Sequence, residues 1–493
     1  EIQNLKIELN GNVDHSIVTK YSSAVIADSG SGAITIDRSS EVDAQDITTN
    51  AFDLRGNALN QRIVKSAFIN GSSTYQDTEV IANSNIDFHD RSGQALVQTY
   101  ENTNLTGFKE AQIIQYNSYD NFGNIIDEKI NSYKTENPTP DLAPIDHKVI
   151  VNTYTDVIAQ RRGNATVSTV TKYDSLLEVD DHLVDKVVTT STYDNRGYAL
   201  TQVVDTLVMD RLEATPILKL ASEKQIFNHD IDNRGDAHSQ EVYSYITDAA
   251  GLATSLTLVT YQAFTNKHFD ADHNIDNQSV LTYDKLVRDG GILLDYQEIR
   301  SVAGFESGVA RDQIIATYDN DFTTKELLGV KKIDNSGIRL NGDVGHSVVT
   351  RYSTGLVDNS VNGLITVEEK NAIDRQVIDT LKFDLRGNAL DQTIVKSAYL
   401  DGAFTYQDTE TISNSKIDFH DRSGQALVQT YKNTDLTGFK EAQIIQYLSY
   451  DNFGNVVNEK IDSYATENPV LGQAPIDHKV IVNTYTDVIA QRR

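Results

Sequence analysis

The sequence predicts an all-β fold: a long antiparallel β-hairpin meander, a solenoid-like repeat array. Three observations carry that expectation. The chain repeats itself without gaps, a short turn motif recurs inside the repeat, and side chains alternate with period two after each turn.

The repeat comes first. Shifting the 493-residue chain by 331 positions lays Glu1–Arg162 on Lys332–Arg493, with 110 identities in 162 positions. Residues 81–120 keep 35 of 40 identities and residues 21–50 only 10 of 30, so the two stretches answer to different demands. Three blocks follow: 1–162 as the first copy, 163–331 as the divergent remainder of the period, and 332–493 as the second copy. The chain stops at Arg493 where the first copy runs on into Gly163-Asn164-Ala165, and its start at Glu1 reads as internal. The expectation is a window on a longer tandem array.

The turn motif is Phe52-Asp53-Leu54-Arg55-Gly56-Asn57, which recurs as Tyr119-Asp120-Asn121-Phe122-Gly123-Asn124, Tyr193-Asp194-Asn195-Arg196-Gly197 and Ile231-Asp232-Asn233-Arg234-Gly235. Longer forms end at Gly93, Gly251 and Gly163, and the second copy restates the motif at Gly387, Gly424 and Gly454, with a further unit opening at Tyr485. Asp followed three residues later by Gly suits a type I turn whose glycine takes φ > 0, a common hairpin connection.

The strands come next. Lys148–Tyr154 and Ala111–Tyr116 are β-branched and aromatic runs entering turns. Past the glycine, Leu59, Gln61 and Ile63 alternate with Asn60 and Arg62, giving one mostly apolar and one polar face. Strands of about ten residues, roughly 18 per period, are expected. Loops such as Asn70-Gly71-Ser72-Ser73 and Asn102-Thr103-Asn104 would close the opposite edge.

Composition narrows the function classes. Apolar residues at 39% suffice for a core. A net charge of −28 argues against nucleic-acid binding through phosphate contacts. Zero cysteines exclude disulfide scaffolds, thiolate metal sites and cysteine nucleophiles. The chain has no apolar run long enough to span a membrane as a helix, and no basic-then-apolar leader opens it.

The Tyr/Phe-Asp-x-x-Gly-Asn core resembles the YD repeat of the Rhs and teneurin family. That resemblance implies β-hairpin sheets at cell surfaces or in secreted proteins, sometimes curled into a shell around a toxin. Two departures stand out: many units are spaced nearer 35 residues than about twenty, and no closing core or toxin segment follows.

Candidate sites are few. Asp270, Asp272, Asn274 and Asp276 alternate oxygen donors as a Ca²⁺ loop would, but Ile275 and Leu281 stand where that loop needs glycine and glutamate. The stretch also aligns with the turn motif, with His273 in the glycine slot, and a structural turn is the favoured reading. His89 and His420 sit beside carboxylates without a recurring second histidine or nucleophile; His147 opens a strand, and an exposed position is expected for it. Gly30-Ser31-Gly32 is too short for a phosphate cradle. One recurrence rises above composition: Gln61, Gln98, Gln202, Gln240, Gln392 and Gln429 stand five residues past the turn glycine, and Gln278 five past His273. A glutamine row that pairs amide to amide and fixes register is the expectation, an exposed strand residue its alternative.

These readings lead to a non-enzymatic structural protein without a cofactor, a segment of an extracellular or cell-surface β-rich fibre whose partner is itself. The variable 21–50 region would carry its contact loops. An adhesin reading surface glycans or a protein, or a YD-repeat toxin shell, is the alternative.

Overall fold

Runs of Val, Ile, Thr and Tyr punctuated by recurring Asp-x-x-Gly turns leave the backbone one economical arrangement, hairpin after hairpin. The computed structural model describes residues 1–26, 34–69, 72–139, 142–285, 287–319 and 325–485. Among them, 27 strands form a single antiparallel sheet in which each strand is hydrogen-bonded to the next in sequence, from Ile2–Ile7 to Asp477–Val482. Eighteen of these strands, Ile2–Ile7 to Asp312–Tyr318, precede Leu327–Ile338, the strand that opens the second copy. The sheet runs unbroken across both repeat boundaries, pairing Thr153 with Val167 and Ile314 with Lys332.

Because direction reverses at every strand, alternate connections lie at opposite margins. The turns at Asp53, Asp87, Asp120, Asp194, Asp232, Asp270, Asp384, Asp418 and Asp451 all fall on one, the turn margin. Loops 22–40, 101–107, 211–216, 353–371 and 432–438 fall on the other, the far margin. The Asp248–Gly251 unit corrects the sequence reading: its Gly251 N–H donates to the Asp248 carbonyl as expected, but the turn lies on the far margin.

The sheet curls until its margins meet. Lys20 Nζ, on the second strand, donates to Tyr198 Oη (3.2 Å) after the eleventh. Gln76 Nε2, on the fifth, donates to the Ala271 carbonyl after the fifteenth. Lys219 Nζ, on the thirteenth, stands 4.9 Å from the Phe419 ring after the twenty-third. In each case a far-margin residue meets a turn about ten strands onward, so the ribbon coils on itself with a seam between successive coils.

Packing follows from that geometry. Cross-strand rings line up in a ladder, Phe227–Tyr243, Tyr243–Tyr261 and Tyr261–Tyr283 at 5.5, 4.9 and 5.7 Å, a spacing that favours tilted and edge contacts. A second cluster forms where loop 353–371 folds over the sheet and seats Ile365 on Ala316 and Val330.

Candidate functional site: the turn row and the seam

Each turn is built from its own aspartate. The Arg55 and Asn57 backbone N–H groups donate to Asp53 Oδ1 at 2.8 Å each, and Asn57 Nδ2 donates to Oδ2 at 2.9 Å. Asp120, Asp384 and Asp451 repeat the pattern. The residue three past the aspartate must take positive φ, met by glycine at Gly56 (89°), Gly123, Gly197, Gly235, Gly387 and Gly454 and by His273 (64°). The motif tyrosine adds a longer tie: Tyr119 Oη donates to the Ser92 carbonyl (2.6 Å), Tyr193 Oη to Ala165 (2.7 Å) and Tyr450 Oη to Ser423 (2.6 Å). Each hairpin is thereby anchored to the one before.

Three glycines depart from the expected role. In Asp87-Phe88-His89-Asp90-Arg91 the turn starts three residues earlier than the glycine suggests, and Asp90 (φ 65°) holds the left-handed position; Asp421 (64°) does so in the second copy. Gly93 and Gly424 instead allow close backbone approach: a Cβ on Gly93 would stand 2.8 Å from the Asn85 carbonyl. Gly163 ends a five-residue helix, Val157–Arg161, capped by Asp156; the Asn164 and Gly163 N–H groups return to the Ala159 and Gln160 carbonyls. A helical turn replaces the hairpin there. The residues that follow Tyr485, and Gly30-Ser31-Gly32, lie outside the described residues, as do Asn70 and Gly71.

Asp53 and Asp87 hold their protons weakly because they accept these bonds. The Arg91 backbone N–H and guanidinium keep the Asp87 carboxyl down to about 2. In the calcium-like stretch the donors are spent locally: Asp270 accepts from the Asp272 and Asn274 N–H groups and from Asn274 Nδ2, while Asp276 faces His268 Nδ1 at 2.8 Å. Asp270, Asp272 and Asn274 therefore form a turn, Asp276 lies on the strand Ile275–Tyr283 that follows it, and no cluster of three or more His, Asp or Glu converges among the described residues.

The histidines part company. His147 is buried at 3% exposure, against the expectation of an exposed position; its Nδ1 lies 2.5 Å from Asn131 Oδ1, and burial pushes its pKa down. His420 enters the seam, with Nε2 3.3 Å from Thr247 Oγ1, and burial together with Arg422 lowers it to about 4. His89, at the same place in the first copy, stacks on Phe88 at 3.8 Å.

The glutamines do not pair with one another. They occupy every other strand, so neighbours in the row are about 9.6 Å apart with a strand between them. Five of them reach other partners: Gln61 and Gln392 donate to Thr49 and Thr380, Gln240 to Asn228 Oδ1 (2.7 Å), Gln98 and Gln429 to the Glu136 and Glu467 carbonyls. Gln202 and Gln278 make no side-chain hydrogen bond among the described residues.

The regular amide device is asparagine, which the sequence reading missed. Asn83, Asn152, Asn228, Asn266, Asn335, Asn414 and Asn483 each donate Nδ2 to a backbone carbonyl 25 to 29 residues earlier, at Ala58, Ile125, Ala199, Ala237, Ala310, Ala389 and Val456. Every acceptor is the second residue past a turn glycine, and that fixed offset was the available signal.

No family model matches the chain, and no curated protein matches it. The resemblance to YD repeats rests on the motif residues alone.

The seam and its pockets hold no convergent reacting groups among the described residues. A cavity of about 410 Å³ lies between the short helix and the Asp194 turn, lined by Thr155, Asn164, Thr166 and Ser191. Asp156, at its rim, is engaged as the helix cap at 2.7 Å from the Ala159 N–H. A wider cleft of about 820 Å³ lies on the seam itself, between Glu101 and Lys109 of the far margin and Arg339 and Leu340 of the turn margin.

Proposed function

We propose that this chain is a scaffold, a non-enzymatic segment of an extracellular or cell-surface β-rich fibre built from YD-like hairpins. The observation that carries the reading is the single sheet that continues through both repeat boundaries while its margins lock coil to coil. Each hairpin leaves an apolar face that only its neighbours cover, so stability accumulates along the array as in other repeat proteins. A coil of roughly ten strands has a circumference of about 48 Å, hence a backbone diameter of about 15–20 Å. A bore so narrow leaves no room for a folded cargo and favours a rod over a shell. The mixed charge and polar turn rows suit a surface that stays hydrated along its length.

Negative-stain images of the protein test the reading. Uniform rods of constant width are expected; closed hollow particles enclosing protein would overturn it.

A further inference from the structure

Lysine ion pairs such as Lys6–Asp14, Lys332–Asp334 and Lys370–Glu368 lie at the surface, but Lys219 and Asp210 expose only 9% and 7% of their side chains. Asp210 ends the strand Ala199–Asp210, and Lys219 lies near the start of Ile217–Ile231. In the ladder Lys219 pairs with Val208 and Asp210 with Ile217, which sets the two side chains diagonally on one face. Lys219 Nζ donates to Asp210 Oδ2 (2.8 Å), Glu213 Oε1 (2.6 Å) and the Ala249 carbonyl (3.2 Å).

The surroundings fix these groups and dry them. A Cβ on Gly251 would stand 2.6 Å from Lys219 Cβ, so glycine is what lets that turn close on the lysine stem. The Phe419 ring lies 4.9 Å from Nζ and packs on Val208 and Ala221. Asp210 Oδ1, the oxygen turned away from the lysine, accepts the Leu212 backbone N–H at 3.0 Å. An ion pair alone needs one amine and one carboxylate. Here a second carboxylate, an N–H on the far oxygen and an apolar cover are assembled around them.

We propose that Lys219 and Asp210 join in a side-chain amide, an isopeptide bond that clamps the 211–216 hairpin beneath the seam. The ammonium passes one proton to Asp210 Oδ2, which it already touches, and both groups become neutral. The amine nitrogen attacks Cγ, and the Leu212 N–H stabilises the charge that gathers on Oδ1. Glu213 carries a second proton from the nitrogen to Oδ2. The Cγ–Oδ2 bond then breaks and Oδ2 leaves as water. One C–N bond replaces one C–O bond, and no oxidant or outside reactant takes part. Fixed proximity drives the step, and the cover keeps out the water that would reverse it. Burial opposes the Lys219 charge, but Asp210 and Glu213 hold its proton and keep its pKa raised, so the bond forms slowly after folding. The clamp goes beyond the scaffold reading and holds for a rod or a shell alike.

Intact-mass measurement of the full chain tests it. Aged protein is expected to weigh one water less than its sequence. Trypsin should then release 197–211 joined to 212–224, uncut after Lys219. Lys219→Arg should restore the full mass. Glu213→Gln alters a half-exposed side chain and should leave the circular-dichroism spectrum unchanged while slowing the mass loss about a hundredfold. Full sequence mass after prolonged incubation, or water loss without the joined fragment, would overturn the bond. Equal rates in Glu213→Gln and the parent chain would remove Glu213 as the proton carrier.

Discussion

Phe419 places its ring 4.9 Å from Lys219 Nζ, two hundred residues earlier in the chain, and buries itself against Val208 and Ala221. The lysine is itself held by Asp210 Oδ2 and Glu213 Oε1 at 2.8 and 2.6 Å. An apolar ring and a paired cation therefore close the seam at one point. Phe419→Ala is expected to cost about 3 kcal/mol or more, as buried phenylalanine truncations do. Phe88→Ala, on the open margin, should change stability by less than about 0.5 kcal/mol. Denaturant unfolding of the two variants measures the difference.

Acid should act on the turns. A carboxyl whose folded pKa lies below its unfolded value contributes stability above the unfolded value, about 3.9, and loses it as pH falls through the folded one. For Asp87 the folded value is about 2. The loss is therefore expected between about pH 4 and pH 2, followed by the β signal in circular dichroism. Asp87→Asn should reduce the change in that window.

His420 should act at higher pH and with the same sign. Its folded value of about 4 lies below the ordinary 6.5, so the unfolded chain takes up the proton first. Stability is expected to decline as pH falls from about 6.5 to about 4, then to level off. His420→Gln should flatten this window and leave the Asp87 window in place. An unchanged profile would mean that the seam does not exclude the charged ring.

Loop 353–371 is held by Arg300 and by Asn277, whose Nδ2 donates to the Ser360 and Val361 carbonyls. Arg300, 2% exposed, donates Nε to the Gly363 carbonyl (2.8 Å) and Nη2 to the Asp358 carbonyl (3.0 Å) and to Glu298 Oε2 (2.9 Å). Arg300→Ala strips one partner from a buried carboxylate and should cost about 3–5 kcal/mol. Limited proteolysis should then cut within 353–371 before the sheet itself opens.

The two amide rows should separate cleanly. Asn228→Leu orphans the Ala199 carbonyl and removes the acceptor of Gln240, at an expected cost of about 1–3 kcal/mol. Gln202→Leu should stay within about 0.5 kcal/mol. Equal losses at both positions in denaturant unfolding would return the register role to the glutamines.

Much of the fold was legible from local chemistry. Asp-x-x-Gly with β-branched flanks determined the turns at Asp53, Asp120 and Asp194, the alternation of faces and about eighteen strands per period, because a type I turn and a period-two strand are settled within a few residues. Tertiary structure alone decided the rest. Which margin Gly251 occupies depends on counting strand reversals, and whether Phe88 or Phe419 is buried depends on a coil arriving roughly two hundred residues away. Identical tips in one chain met different surroundings, and no local signal distinguishes an open tip from a covered one. The curl of the sheet, set by the summed twist of many strands, makes that distinction.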